Sequence, residues 1–209
     1  MGTYYSLVFT YDRKDLTPDF VAEFYNALIS AGAEFKGGAY EGSKLTLSEI
    51  ININSQKLLE NYELGFDEDG TNDYKQALFA VEGFSYARVF VMNNDPTAEE
   101  YYFHLIVNEN EVMNAGTQIS CKKDSIDRLL TLAKCIMKAT NAILVQTEPE
   151  ICSETVSYEQ YKSTGQVNAN PFALARSTEG AADKRYYTSF QEGELEVIYD
   201  KEYNFTERT

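Results

Sequence analysis

Ser85, Asp95 and His104 follow one another in the order nucleophile, acid, base of an α/β-hydrolase. Gly83-Phe84-Ser85-Tyr86-Ala87 departs from the G-x-S-x-G elbow at one position. Such a serine attacks an acyl carbon only when a strained strand-to-helix turn exposes it and backbone N–H groups stand behind it for the oxyanion. Here Arg88-Val89-Phe90-Val91 continues as strand, and nineteen residues from Ser85 to His104 leave no room for the intervening elements, so Ser85 is read as an ordinary strand residue. Gly37 to Lys44 nearly spells the phosphate-cradling G-x-x-x-x-G-K-[ST], but Ser43 and Lys44 stand in the wrong order. The loop is also expected to lead into a strand, leaving no helix N-terminus to face phosphates. Gly65 to Gln76 has Asp67, Asp69 and Asp73 at the third, fifth and ninth positions of a calcium loop and Gly70 at the sixth. Gly65 and Gln76 fill the first and twelfth, where the strongest carboxylate ligands belong, so a solvated acidic loop is expected. His104 is the only histidine, and Cys121, Cys135 and Cys152 contain no C-x-x-C pair. Neither a metal nor a cofactor is expected. Cys121 has Lys122 and Lys123 to lower its pKa but no second histidine in the chain to serve as base. The carboxylate groups Glu99/Glu100, Glu109/Glu111 and Glu192/Glu194/Glu196 are too many to nominate for glycoside cleavage and read as surface charge.

The elements that must position these groups follow from hydropathy. Residues 4–11 alternate, Tyr5, Leu7, Phe9 and Tyr11 against Tyr4, Ser6, Val8 and Thr10, which predicts a strand. A helix follows, with Thr17 as N-cap, Pro18 at its first position, Phe20, Val21, Phe24, Tyr25 and Leu28 as its stripe, and Gly32 after its end. Residues 36–44 read as a loop, 45–53 as a strand and 55–64 as a short helix. Residues 74–93 read as two strands turning at Glu82-Gly83, and 100–107 as a strand with Tyr101, Phe103, Leu105 and Val107 on one face and Tyr102, His104 and Ile106 on the other. A second long helix is predicted over 125–140, capped by Asp124, then a short strand over 142–146. Beyond Pro149 the chain turns rich in Ser, Thr, Gln, Asn and Gly, predicting an irregular stretch, a helical turn near 158–162 and a hairpin of 186–190 with 195–199. The order predicts an α+β fold: a mainly antiparallel sheet with two principal amphipathic helices packed on one face. Residues 1–149 would form the core domain, with a C-terminal extension of 150–209, irregular and then hairpin, packed on it.

Charge narrows the function classes. The 209 residues carry 33 Asp+Glu against 18 Lys+Arg, a formal net charge of −15. Nucleic-acid binding and docking on anionic membranes both need basic surface, so neither is expected. A chain of this length buries about 70% of its unfolded surface and needs no staple. With no cleavable apolar leader in residues 2–15, no apolar run near ~20 residues and an odd number of scattered cysteines, a cytoplasmic protein is expected. The acids come in blocks. Residues 58–74 hold Glu60, Glu63, Asp67, Glu68, Asp69 and Asp73, and residues 89–121 hold Asp95, Glu99, Glu100, Glu109 and Glu111, neither block with a Lys or Arg. Tyr101 and Tyr102 stand beside the second block. Charge steers an encounter and aromatic area anchors it, so this composition predicts a face for a basic protein partner: Glu60, Glu63, Asp67, Glu68, Asp69, Asp73, Glu99, Glu100, Glu109 and Glu111 as acceptors and Tyr101 or Tyr102 as anchor. The chain itself would be a monomer or a small homo-oligomer.

The stretch Glu63-Leu64-Gly65-Phe66-Asp67, then Tyr101-Tyr102-Phe103-His104-Leu105-Ile106-Val107 followed by Asn108-Glu109 and a helix from Ser125, resembles at the level of layout the acidic immunity proteins of bacterial polymorphic-toxin systems. The resemblance covers residues 1–147 and has no counterpart for the tail after Glu150. It implies inhibition by binding, no catalysis, and a basic toxin domain such as a nuclease as partner. Two other classes make different demands: an enzyme would build a pocket around His104, and an assembly subunit would pair through exposed strand edges.

Overall fold

The structure, a computed structural model, describes residues 3–64, 73–114, 120–150, 155–176, 181–202 and 204–206. Strand β1 (Tyr4–Asp12) is the middle of the molecule because both its faces can be buried: Leu7, Val8, Phe9 and Thr10 are all out of solvent. It pairs antiparallel with β5 (Glu100–Asn108) on one side and β8 (Leu144–Pro149) on the other. β4 (Phe84–Met92), β3 (Ala77–Val81) and β2 (Glu34–Gly38) continue the sheet beyond β5, and β9 (Phe172–Arg176), β11 (Leu195–Asp200) and β10 (Tyr187–Glu192) continue it beyond β8. The order is β10-β11-β9-β8-β1-β5-β4-β3-β2, antiparallel throughout. The extension past residue 150 therefore adds three strands to the same sheet. A smaller sheet joins β6 (Met113–Asn114), β7 (Ser120–Lys122) and β12 (Asn204–Thr206), the last running parallel to β7. The fold is α+β.

The long helices α1 (Phe20–Ser30), α2 (Leu47–Leu59) and α4 (Lys123–Ala139) cover one face. Their partners in the sheet are the inward phases Tyr5, Leu7, Phe9, Tyr11 of β1 and Tyr101, Phe103, Leu105, Val107 of β5. Rings dominate the contact: Phe24 stacks on Phe103 at 4.2 Å, Tyr11 on Tyr101 at 5.7 Å and Tyr25 on Phe79 at 5.8 Å. Each such pair adds about 1 kcal/mol to what burial of the rings contributes. The opposite face carries a second, smaller core. There Tyr161 of the short helix α5 (Tyr158–Thr164) meets Leu144, Ala173, Ala175 and Ile198, the other phase of β8, β9 and β11.

Two segments differ from expectation. Residues 34–38 are strand, and residues 47–59 are helix where a strand was expected over 45–53. Thr46 accepts the Glu49 N–H while the Glu49 carboxylate takes the Thr46 N–H at 2.7 Å, a full capping box, and Ile50, Asn54 and Leu58 are buried at helical spacing. A helix does therefore follow the Gly37–Lys44 loop. Its N-terminus is already occupied by the Glu49 carboxylate, so no phosphate cradle is left there. Smaller shifts concern α1, which starts at Phe20 with Asp19 rather than Thr17 at its cap, and β9, a strand inside the stretch expected to be irregular.

Candidate protein interface

At the end of the sheet where β1 stops and β5 starts, Asp12 lies opposite Glu100. Just beyond it Arg13 gathers the neighbouring loops. Its backbone N–H bonds Glu99 O at 2.7 Å. Its guanidinium donates to Ala98 O at 2.8 Å, Asn61 Oδ1 at 2.8 Å, Asn93 Oδ1 at 2.7 Å and Glu100 O at 3.2 Å, and lies 5.8 Å over the Tyr101 ring. Asn61, which follows α2, bonds onward to Pro96 O, and Leu64 N–H to Asn93 O. One arginine thus holds the α2 exit, the 93–99 turn and the β1 end against each other.

The carboxylates on these loops consequently share one end of the molecule. Asp15, Glu60, Glu63, Asp95 and Glu99 are exposed, and none forms an ion pair among the described residues. Hydrogen bonds from the Thr97 hydroxyl and amide hold the Asp95 carboxyl below its ordinary value, so it is ionised at neutral pH. Nearby cations are committed locally: Lys14 to Asp12, Lys162 to Glu159, and Lys57 to the face of Tyr62, 3.8 Å from its ring. Glu100 is half-buried with both oxygens engaged, one by Tyr158 N–H at 2.8 Å and one by Tyr102 Oη at 3.3 Å; burial raises its pKa. It therefore anchors α5 to the sheet instead of facing a partner.

The predicted residues divide accordingly. Glu60, Glu63, Glu99 and, half-buried, Glu100 come together here, while Asp73 is half-buried ahead of Tyr74. Glu109 and Glu111, on the short helix α3 (Glu109–Val112), stand at the opposite end of β5, about 27 Å away at the rise of an extended strand. Glu111 accepts the Ser85 N–H at 2.9 Å and serves the β3–β4 hairpin. Asp67, Glu68 and Asp69 lie outside the described residues, as does most of the Gly65 to Gln76 loop. Tyr101 is wholly buried, so it cannot anchor a partner, and Tyr102 is half-buried and bonded to Glu100. Among the described residues the exposed rings, Tyr40, Tyr186 and Phe190, stand elsewhere. At the acidic end the exposed apolar side chain is Leu59, which sequence reasoning did not single out. Asp15 and Arg13 were missed too, although their place at the end of a clean strand marked them as loop residues beside the next strand's start.

His104 offers no acid–base site. Val8 and Phe90 flank it in register, its imidazole stacks on Phe90 at 5.3 Å, and it makes no hydrogen bond among the described residues. Burial pushes its pKa down to about 4, so the ring is neutral near pH 7. Cys121 is buried in the first core, Cys135 is exposed on α4, and Cys152 lies outside the described residues. Among the described residues no three His, Cys, Asp or Glu side chains are grouped to hold a metal, and no helix is long and apolar enough to cross a membrane. The chain matches no protein-family model and no curated protein sequence.

Proposed function

We propose that this is a non-catalytic, cytoplasmic binding protein that takes a basic protein partner on the acidic end of its sheet, as an immunity protein covers a toxin. The observation that supports the reading is the convergence of Asp15, Glu60, Glu63, Asp95 and Glu99, from three separate loops, on the end of the sheet held by Arg13, with no ion pair to any of them among the described residues. Exposed carboxylates held at one end of a molecule of charge −15 accelerate the approach of a cationic surface, and the effect weakens as salt shortens the Debye length to about 8 Å at physiological ionic strength. The test uses partners captured on the immobilised protein from a lysate of the source cell. Lysine at Glu60, Asp95 and Glu99 together is expected to slow association with a captured basic protein at least tenfold at low salt. Lysine at Glu34, Glu82 and Glu109, the same change in net charge at the far end, is expected to leave most of the rate intact. Equal losses in the two variants would mean that net charge acts without a face, and the reading would fail.

A further inference from the structure

Among the described residues the acidic end has no exposed ring to serve as an anchor, yet it has a groove with apolar side chains on both walls. Between the start of α1 and the last turns of α2 runs a groove of about 540 Å³, with Pro18, Asp19 and Ala22 on one side and α2 on the other, where the apolar Ile51 and Leu59 alternate with the polar Asn52, Ser55, Gln56 and Glu60. Helical geometry explains it. Ile50, Asn54 and Leu58 form the row that faces the core, so the next row, Ile51, Ser55 and Leu59, lies along the crevice beside α1. Ser55 is the short member of that row and leaves the depression between its two apolar neighbours. Leu59 is 49% exposed, next to Glu60. At the rim, Asp19 precedes α1 without bonding the helix N-terminus, and Glu60 ends α2. Among the described residues no Lys or Arg lines the groove.

We infer that this groove seats an apolar side chain of the basic partner, with the cations flanking that side chain meeting Asp19 and Glu60. The inference rests on the reading of the acidic end as a partner face, which Glu60 joins directly to the groove. Charge selects the occupant. A second copy of this chain would bring the same acidic rim and be repelled, and an anionic membrane surface would be repelled as well. A segment with an apolar residue between arginines or lysines satisfies both the floor and the rim.

The experiment titrates the full-length, isotope-labelled protein at low salt with two pentapeptides, Lys-Arg-Leu-Arg-Lys and Lys-Arg-Ser-Arg-Lys, and follows the backbone amide resonances. Both peptides are expected to shift Asp95 and Glu99. The leucine peptide alone should shift Ala22, Ile51, Ser55 and Leu59 and bind about tenfold more tightly, a factor equivalent to about 1.4 kcal/mol. Ser55→Leu, which adds bulk to the α2 wall and removes a buried hydroxyl that has no hydrogen-bond partner among the described residues, should erase that tenfold advantage and leave the shifts at Asp95 and Glu99 in place. Equal affinities with no shift in the groove would overturn the socket and spare the acidic face. A leucine advantage that survives Ser55→Leu would overturn it too, as would concentration-dependent shifts of the groove amides without peptide, the sign of self-association. Absence of any shift at Asp95 and Glu99 at low salt would instead remove the parent reading.

Discussion

Two groups on the second face of the sheet titrate against each other, and the structure fixes the sign of each. His104 falls from its ordinary 6.5 to about 4 because burial disfavours the imidazolium, and Glu148 rises from its ordinary 4.5 to about 7 because burial disfavours the carboxylate. For His104, the unfolded chain binds a proton below pH 6.5 and the native chain does not, so stability is lost as pH falls from 6.5 towards 4. For Glu148, the native chain keeps a proton above pH 4.5 that the unfolded chain releases, so stability is lost as pH rises from 4.5 to 7. Each slope is at most about 1.4 kcal/mol per pH unit. Across 4.5 to 6.5 the two oppose: His104 alone would move stability by about 2 to 3 kcal/mol, and Glu148, whose carboxyl is partly in solvent and screened, by less, so together they cancel in part. Removing one exposes the other. His104→Phe, which preserves the stack on Phe90, should make the protein progressively less stable from pH 4.5 to 6.5 relative to wild type. Glu148→Gln, which can keep the contact with Asn168, should gain relative stability over the same span. Urea unfolding followed by circular dichroism at constant ionic strength measures both, tryptophan fluorescence being excluded because the chain has none. Taking the difference from wild type removes the contribution of the remaining acids. A Glu148→Gln difference that stays flat between pH 5 and 7 would refute the burial argument for that carboxyl.

Arg13→Met should cost about 2 to 4 kcal/mol, because four acceptors lose a charged donor and only some can rehydrate. Thermal unfolding would show it as a fall of roughly 6 to 12 °C, and Arg13→Lys should recover only part. Thr46→Ala breaks the capping box and should cost about 1 kcal/mol, with faster amide exchange confined to the first turn of α2. Gly165→Ala should cost at least about 2 kcal/mol in urea unfolding: Gly165 has φ +69°, and a Cβ there would sit 2.3 Å from Ala181 O, disrupting the loop that closes the second core.

Legibility in the sequence followed the strength of local periodicity. β1, β5, α1 and α4 each carry an uninterrupted apolar phase and stand close to where that phase puts them. Residues 45–53 misled because Leu45, Leu47, Ile51 and Ile53 mimic a period of two, while the helical set Ile50, Asn54, Leu58 has a polar residue in its middle. Asn54 is tolerated in the core because its amide is satisfied on both sides, accepting from Lys75 N–H at 2.6 Å and donating to Lys75 O at 2.8 Å. Thr46-x-x-Glu49 was the local signal that could have settled the matter. β9 was hidden for a different reason: Phe172-Ala173-Leu174-Ala175 is apolar on both faces, as suits a strand buried between two cores, so it shows no alternation to read.

The charge of the candidate face was legible, and its anchor was not, for one physical reason. Most carboxylates stay at the surface, and Glu60 and Glu99 do; the exceptions are Glu100, half-buried, and Glu196, expected as surface charge but buried, where it accepts from the Tyr161 hydroxyl and the Ala181 N–H. A tyrosine in a strand is decided by its phase. Tyr101 shares its phase with Phe103, Leu105 and Val107, the most apolar set of β5, and was bound to enter the core against Tyr11 and Phe20. Tyr102, in the opposite phase, is drawn to Glu100 by α5 and its cap. An element with more than two faces can keep an apolar side chain at the surface without taking it from the core. α2 is such an element: its core row, its groove row and its outward row are distinct, so Leu59 can stay at the surface beside Glu60 without weakening the core that Leu58 completes. If the proposed partner face is right, the helix exit, rather than the Tyr-rich strand, would supply its apolar contact.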